Sequence, residues 1–147
     1  EKIMLTGVPT FITGEGFKSL LEVLVNQKNF NPNNEKIISD NLGEGDQFEK
    51  LTINPESLAL KKLYENHNQI ELTSSRFSLY PQIMAHLKNE LIDVEALNQF
   101  EEAEIVSLKS HPFFVACGFC PQISSTREIP HPLVYTFIKA CSSELHA

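Results

Sequence analysis

Five prolines recur along the sequence and constrain its secondary structure more than any other feature. Each follows a residue suited to a turn or a helix cap and precedes apolar residues at helical spacing. Proline is favoured at the first position of a helix, because its missing N–H would have no intrahelical partner there. The pattern therefore predicts that a short helix starts at each of these residues, which are Pro32, Pro55, Pro81, Pro112 and Pro132.

Apolar spacing predicts further helices between the prolines. After Thr13, which we interpret as a helix N-cap, apolar residues recur at i, i+3, i+4, i+7 and i+8, the pattern of an amphipathic helix. They are Phe17, Leu20, Leu21, Leu24 and Val25. Asp93 is expected to cap a short helix over 94–97, and the acidic residues at 101, 102 and 104 favour a helix start before Ile105. Residues 2–6 suit a short strand or an extended lead-in.

These elements together predict an all-α fold. We expect residues 1–147 to form a single domain of short antiparallel helices, an irregular bundle or array with at most one short strand pair near the N-terminus. Because the sequence starts at Glu1, we expect it to be a fragment of a larger protein. The predicted core residues are Leu20, Leu21, Leu24, Leu63, Ile83, Leu87, Leu97, Leu108, Phe113, Phe114, Phe137 and Ile138.

Charge and composition exclude several classes of function. The formal net charge is −7, and Lys61-Lys62 is the one adjacent basic pair. Nucleic acids and anionic membrane surfaces need clustered basic residues, so both are disfavoured as partners. No run of 18 apolar residues is present, so no transmembrane segment is expected. A protein partner with a basic or neutral surface suits this balance best.

The three cysteines offer the main chemical alternatives. Cys117 and Cys120 form a C-x-x-C pair, and Cys141 follows in the last predicted helix. They suit buried structural thiols, or a zinc site completed by His146 or His131, or a redox or nucleophilic thiol. Zinc is the one cofactor that the residues suggest.

Two other ligand-binding motifs are incomplete. Lys18-Ser19 opens the first helix as in a phosphate-binding loop, but Ile12 and Phe17 stand where that motif requires glycine. The acidic residues between 40 and 46 lack the spacing and the closing glutamate of a calcium-binding EF-hand loop. Neither nucleotide nor calcium is therefore expected.

Residues 72–119 resemble a known helical repeat. The segments Pro81-x-Ile83, Leu87-Lys-Asn-Glu-Leu91-Ile-Asp93-Val-Glu-Ala-Leu97 and Leu108-Lys-Ser-His-Pro112 carry the likeness. They are similar to the degenerate repeats of type IV-secreted (Dot/Icm) effector proteins of Legionella and related intracellular bacteria. The resemblance implies an accessory domain that holds a host or bacterial partner, and it carries over no catalytic residues.

The sequence therefore predicts a non-enzymatic protein-interaction module of a bacterial secreted effector. Such a module would be made in the cytoplasm of the producing cell and delivered into the host cell. The alternatives are a Cys-dependent enzyme, and a zinc-stabilised module that uses Cys117, Cys120, Cys141 and His146. A lipid-headgroup site would require the lysines at 18, 61, 62 and 88 to converge in the fold.

Overall fold

A computed structural model of the chain describes residues 2–33, 38–40, 48–73 and 77–145. The fold is mixed α/β, so the all-α prediction is wrong. The helices in the described part are α1 (Glu15–Gln27), α2 (Leu58–Leu63), α3 (Pro81–Glu90) and α4 (Pro132–Leu145), with short 3-10 turns at Lys2–Leu5 and Pro121–Ile123. The strands there are β1 (Thr10–Thr13), β2 (Ile38–Asp40), β3 (Glu49–Thr52), β4 (Asn54–Pro55), β5 (Ile70–Thr73), β6 (Phe77–Leu79), β7 (Ile92–Leu97), β8 (Ala103–Leu108) and β9 (Phe114–Cys117).

Among the described residues, the central sheet has five strands in the order β1-β9-β8-β7-β4. Strand β1 is parallel to β9, with Thr10 opposite Phe114 and Thr13 opposite Cys117. The other neighbours in this sheet are antiparallel. Two small antiparallel pairs, β2 with β6 and β3 with β5, stand beside it.

Helices cover both faces of the central sheet. One core packs α1 and α3 against the face that carries Ile92, Val106 and Phe114. The second packs α2 and the start of α4 against the face that carries Ile105 and Cys117. The result is a three-layer α/β/α arrangement. No helix among the described residues is long and apolar enough to span a membrane.

Three of the predicted helices are confirmed. Helix α1 buries the five predicted apolar residues, although its N-cap is Gly14 and Thr13 is the last residue of β1. Pro81 and Pro132 are the first residues of α3 and α4. The prediction that Ile138 belongs to the core is wrong, since its side chain is 57% exposed on α4.

At the other predicted helix starts the described residues form strands or turns, so these predictions are wrong. Pro55 lies in β4, and α2 starts three residues later with Ser57 as its cap. Pro112 lies in the turn before β9. Pro32, where a helix was predicted to start, lies in a turn, and the next described residues, Ile38–Asp40, form β2. Residues 34–37 and 41–47 are outside the described residues.

The helix predicted over 94–97 lies in strand β7, and the segment where a helix was predicted to start before Ile105 is strand β8. Apolar residues at 92, 94 and 96 alternate with Asp93 and Glu95, and this spacing suits a strand as well as a short helix turn. β-Branched residues such as Ile105 and Val106 favour the strand. Residues 2–6, expected to be extended, begin with a 3-10 turn.

Candidate functional site

A sharp turn at Gly14 joins β1 to α1. Gly14 has φ +59° and ψ −129°, a conformation that L side chains rarely adopt. Its N–H donates to the carbonyl oxygens of Cys117 (3.0 Å) and Phe119 (3.2 Å), which fixes the turn at the end of β9. Helix α1 starts at the next residue, so its N-terminus points into the same space. We call this turn the elbow.

The elbow has the geometry of a nucleophile elbow without the nucleophile. Such turns follow the pattern G-x-S-x-G, with the reactive side chain on a strained strand-to-helix turn. Here the five positions are Ile12-Thr13-Gly14-Glu15-Gly16. The last glycine is required, because a Cβ on Gly16 would lie 2.6 Å from Cγ2 of Ile12. The central position, where the nucleophile would stand, is Gly14.

A thiol faces this empty position. A Cβ built on Gly14 would lie 3.7 Å from Sγ of Cys120, which is ordinary van der Waals contact. Cys120 is partly exposed, and its N–H donates to the carbonyl of Leu72 at 2.9 Å. Cys120 is therefore the cysteine of the C-x-x-C pair that reaches the elbow.

Cys117 has a different environment. Its side chain is fully buried in the core beside α2 and α4, and its Sγ contacts the carbonyl oxygen of Phe119 at 3.6 Å. Burial raises the pKa of the Cys117 thiol well above its ordinary range, and the carboxylates of Glu104 and Glu71 raise it further. This thiol stays protonated and acts as a small apolar side chain.

The zinc prediction receives no support from the described part of the chain. No group of three metal ligands that includes a cysteine occurs there, and all three cysteines are free thiols. His146, the proposed fourth ligand, lies outside the described residues. The zinc site stays a prediction.

A second polar site lies inside the molecule, in what we call the buried cluster: Tyr64, Glu71 and His131. Oε1 of Glu71 accepts from the Tyr64 hydroxyl at 3.1 Å and contacts Nε2 of His131 at 2.5 Å. All three residues are at most 2% exposed. Burial raises the pKa of Tyr64, and the adjacent Glu71 carboxylate adds to this effect. The cluster joins the end of α2, strand β5 and the start of α4.

His67 lies at the outer side of the buried cluster. Its Nε2 is 3.8 Å from Oε1 of Glu71, and its ring meets that of His131 edge-on at 4.7 Å. Burial lowers the pKa of His67, and His131 lowers it further, whereas Glu71 acts in the opposite direction. Ligand atoms of His67, Glu71 and His131 lie within 4.8 Å of one another, which is close enough for a shared metal ion.

The tautomer of His131 argues against that metal site. The backbone N–H of Leu133 donates to Nδ1 of His131 at 3.1 Å, so Nδ1 carries a lone pair. In the neutral ring the proton is then on Nε2, where it is donated to Glu71. A metal at Nε2 would displace this proton, although metal-bound histidines usually donate their other N–H. The cluster is therefore built for hydrogen bonding.

Sequence reasoning missed most of both sites. His131 was named only as an alternative zinc ligand, whereas in the structure its Nδ1 accepts from the backbone N–H of Leu133 at the start of α4. Glu71 and Gly14 were not singled out. A glycine two residues before Gly16 at a strand-to-helix boundary was the available signal for the elbow, but it required the strand to be recognised first.

Comparison with known proteins identifies sequence relatives. No known family profile matches the chain. It is 36% identical over 115 residues to a CTP synthase of Onion yellows phytoplasma, which covers 72% of this chain and 20% of the relative. It is 30% identical over 92 residues to a CTP synthase of Helicobacter pylori, and this match covers 63% of this chain and 17% of the relative. The chain thus spans about a fifth of the length of the curated relatives that it matches.

Solved structures share the fold. The glutaminase domain of Trypanosoma brucei CTPS, solved with bound acivicin, superposes with a TM-score of 0.75 at 18% identity, covering 95% of this chain and 62% of that one. A GMP synthase-type protein of Thermoplasma acidophilum gives a TM-score of 0.59 at 13% identity, covering 94% and 59%. These likenesses establish an α/β fold of this kind.

The comparisons overturn the functional expectations from sequence. The resemblance to Legionella-type effector repeats is wrong, because the relatives are CTP synthases. The expectations of a non-enzymatic host-binding module and of a secreted virulence protein depended on that resemblance and are wrong as well. The lipid-headgroup alternative also fails in the fold, since Lys18 and Lys88 lie on helices on one face of the sheet and Lys61 and Lys62 on a helix of the other.

Proposed function

We propose that this chain is the glutaminase-type domain of a CTP synthase-like enzyme, located in the cytoplasm, and that it handles the side-chain amide of glutamine at the elbow. The sequence relatives and the shared fold support the class of enzyme. The single observation that carries the site is the elbow at Gly14 with the thiol of Cys120 in front of it.

The chemistry at the elbow is limited by what the chain supplies there. Release of the amide nitrogen through a covalent intermediate requires a thiol to give up its proton and attack the amide carbon. The C–N bond breaks, the nitrogen takes that proton and leaves as ammonia, and water then hydrolyses the thioester to the carboxylic acid and the free thiol. Gly14 has no side chain that could attack. Cys120 is therefore the group that such a step would use, with the N-terminus of α1 beside it to favour negative charge on the carbonyl oxygen.

Alkylation by the chloroketone analogue of glutamine tests this proposal. We expect one adduct per chain by intact mass, located at Cys120 by peptide mapping and prevented by excess glutamine. Cys120→Ser should abolish the adduct and any release of ammonia from glutamine. Cys141→Ser is the matched control, because Cys141 is also a partly exposed thiol but lies on α4.

Two results would contradict the proposal. An adduct that forms equally in Cys120→Ser would show that the elbow is not the reactive site. An adduct that excess glutamine does not slow would show a merely exposed thiol and no glutamine site.

A further inference from the structure

Two buried polar side chains lie on one face of strand β5. Alternate residues of a strand face the same way, so Glu71 and Thr73 both point into the molecule, where they are 1% and 0% exposed. Glu71 belongs to the buried cluster, which accounts for its position. Thr73 lies outside that cluster, and a buried hydroxyl costs free energy unless it is hydrogen-bonded. Its place in the core therefore needs a separate reason.

The Thr73 hydroxyl is bonded to the stretch of main chain that leads to Cys120. Its Oγ1 donates to the carbonyl oxygen of Gly118 at 3.0 Å, and this hydrogen bond is buried. The preceding residue of β5, Leu72, accepts from the N–H of Cys120 at 2.9 Å. Strand β5 thus holds residues 118–120 at both ends, at one end through a side chain and at the other through the main chain.

Strand β8, helix α1 and the elbow hold the same segment on its other sides. The N–H of Gly118 donates to the carbonyl oxygen of Glu104 at 3.0 Å, and the elbow bonds to the carbonyl oxygen of Phe119. A Cβ on Gly118 would lie 2.8 Å from Oε2 of Glu104 and 3.2 Å from Cδ1 of Phe17, so the packing there is close. Of these four hydrogen bonds, the one from Thr73 is made by a side chain and can be removed by substitution.

We propose that Thr73 is a positioning residue, which holds residues 118–120 so that the thiol of Cys120 stands at the elbow. Sγ of Cys120 is 3.7 Å from the place of a Cβ on Gly14, so a small shift of the segment changes how the thiol faces the elbow. Without the hydroxyl, the buried carbonyl of Gly118 loses its donor, which favours such a shift. This inference rests on the proposed function for its effect on glutamine, because a misplacement of about 1 Å can slow a reaction about a hundredfold.

Two substitutions of Thr73 separate its hydroxyl from its shape. Thr73→Val removes the hydroxyl and keeps the branched shape, whereas Thr73→Ser keeps the hydroxyl. Alkylation of Cys120 by the chloroketone analogue of glutamine is measured at rising concentrations, which gives a maximal rate and a half-saturating concentration. We expect Thr73→Val to lower the maximal rate about tenfold and to leave the half-saturating concentration within about twofold, because the thiol moves and the analogue still binds. Thr73→Ser should stay within about twofold of the unsubstituted chain in both.

A threonine of α4 supplies the matched control. Oγ1 of Thr136 also donates to a main-chain carbonyl, that of Pro132 at 2.7 Å, but within the helix. Thr136→Val therefore removes the same kind of hydrogen bond, and the maximal rate of alkylation should be unchanged. Thr73→Ala removes the hydroxyl without placing a methyl group against the carbonyl of Gly118. It decides the test if Thr73→Val does not fold.

Hydrogen exchange of the Cys120 amide tests the inference without any glutamine analogue. This N–H is bonded to the carbonyl of Leu72, and we expect it to exchange about tenfold faster in Thr73→Val and not in Thr73→Ser or Thr136→Val. If the unsubstituted chain gives no chloroketone adduct at Cys120, the proposed function fails, and the exchange rates alone decide whether Thr73 positions the segment.

Three results would overturn the inference. The first is equal exchange of the Cys120 amide in Thr73→Val and the unsubstituted chain. The second is a Thr73→Ser variant that is alkylated as slowly as Thr73→Val, which would assign the effect to shape and not to the hydroxyl. The third is an equal loss of rate in Thr136→Val, which would show a general response to a lost hydrogen bond.

Discussion

The elbow and the buried cluster meet at the end of β9 but position chemistry in opposite ways. At the elbow, side chains are missing: Gly14 allows a strained turn, and Gly16 lets α1 approach β1. In the buried cluster, three large polar side chains are joined by hydrogen bonds at a single carboxylate oxygen. The ring of Phe119 packs against His131 while its carbonyl accepts from Gly14, so one short segment joins the two.

This contrast predicts that the two regions respond differently to substitution. The buried cluster joins three elements through side chains that are at most 2% exposed, and it leaves Oε2 of Glu71 without a hydrogen-bond partner. A buried carboxylate is held there by its two partners, so it should be sensitive to their loss. The elbow is sensitive only to added volume or to backbone strain. Substitutions in the two regions should therefore follow different rules.

The largest effect is expected from Glu71→Ala. It leaves the Tyr64 hydroxyl and Nε2–H of His131 buried without their acceptor, and we expect the free energy of unfolding to fall by about 3 kcal/mol. Urea denaturation measures this. Glu90→Ala, at an exposed position of α3, should change stability little. A loss below about 1 kcal/mol at Glu71 would show that the cluster does not hold the fold.

The next largest effect is expected from Gly16→Ala. Alanine is the better helix former, but its Cβ would meet Ile12 Cγ2 at 2.6 Å, so we expect a loss of about 2 kcal/mol. A double-mutant cycle with Ile12→Ala isolates the clash, because the added Cβ then has room. Equal losses from Gly16→Ala in both backgrounds would assign the cost to something other than this contact.

A smaller effect is expected from Gly14→Ala. The Cβ has room, at 3.7 Å from Sγ of Cys120, but a φ of +59° is strained for any L side chain, so we expect a loss of about 1 kcal/mol. Thermal unfolding of Gly14→Ala and Gly16→Ala, measured side by side, compares the cost of backbone strain at Gly14 with the cost of steric overlap at Gly16. A larger loss at Gly14 than at Gly16 would reverse our interpretation of the elbow.

The sequence was informative where one periodicity dominated. Helix α1 repeats its apolar residues over three turns, and Pro81 and Pro132 are each the first residue of a helix. Over β7 and β8 the same apolar residues fit both a helix and a strand, and only pairing with distant strands decides between them. Proline likewise marks a break in structure without determining the next element, as Pro112 before β9 shows.

The sites were harder to predict than the helices for a related reason. Glu71 and His131 are 60 residues apart in sequence and meet only because the fold brings β5 beside the residue before α4. Gly14 carries no chemical group, so a search for reactive residues passes over it. The C-x-x-C pair was visible, but its two thiols face different surroundings, since Cys117 lies in the core and Cys120 at the elbow.

The smallest effect is expected from pH acting on His67 at the margin of the buried cluster. Burial lowers the pKa of His67 in the folded protein, so the unfolded chain takes up a proton first as the pH falls below the ordinary value of about 6.5. Stability should therefore be constant above that value and decline below it. His67→Gln should remove part of this decline, whereas Asn66→Ala, at the exposed neighbouring position, should not. Urea midpoints between about pH 5 and pH 8 measure the difference. If both variants decline like the natural chain, His67 does not sense the cluster, and the contrast with the uncharged elbow would then depend on Glu71 and His131 alone.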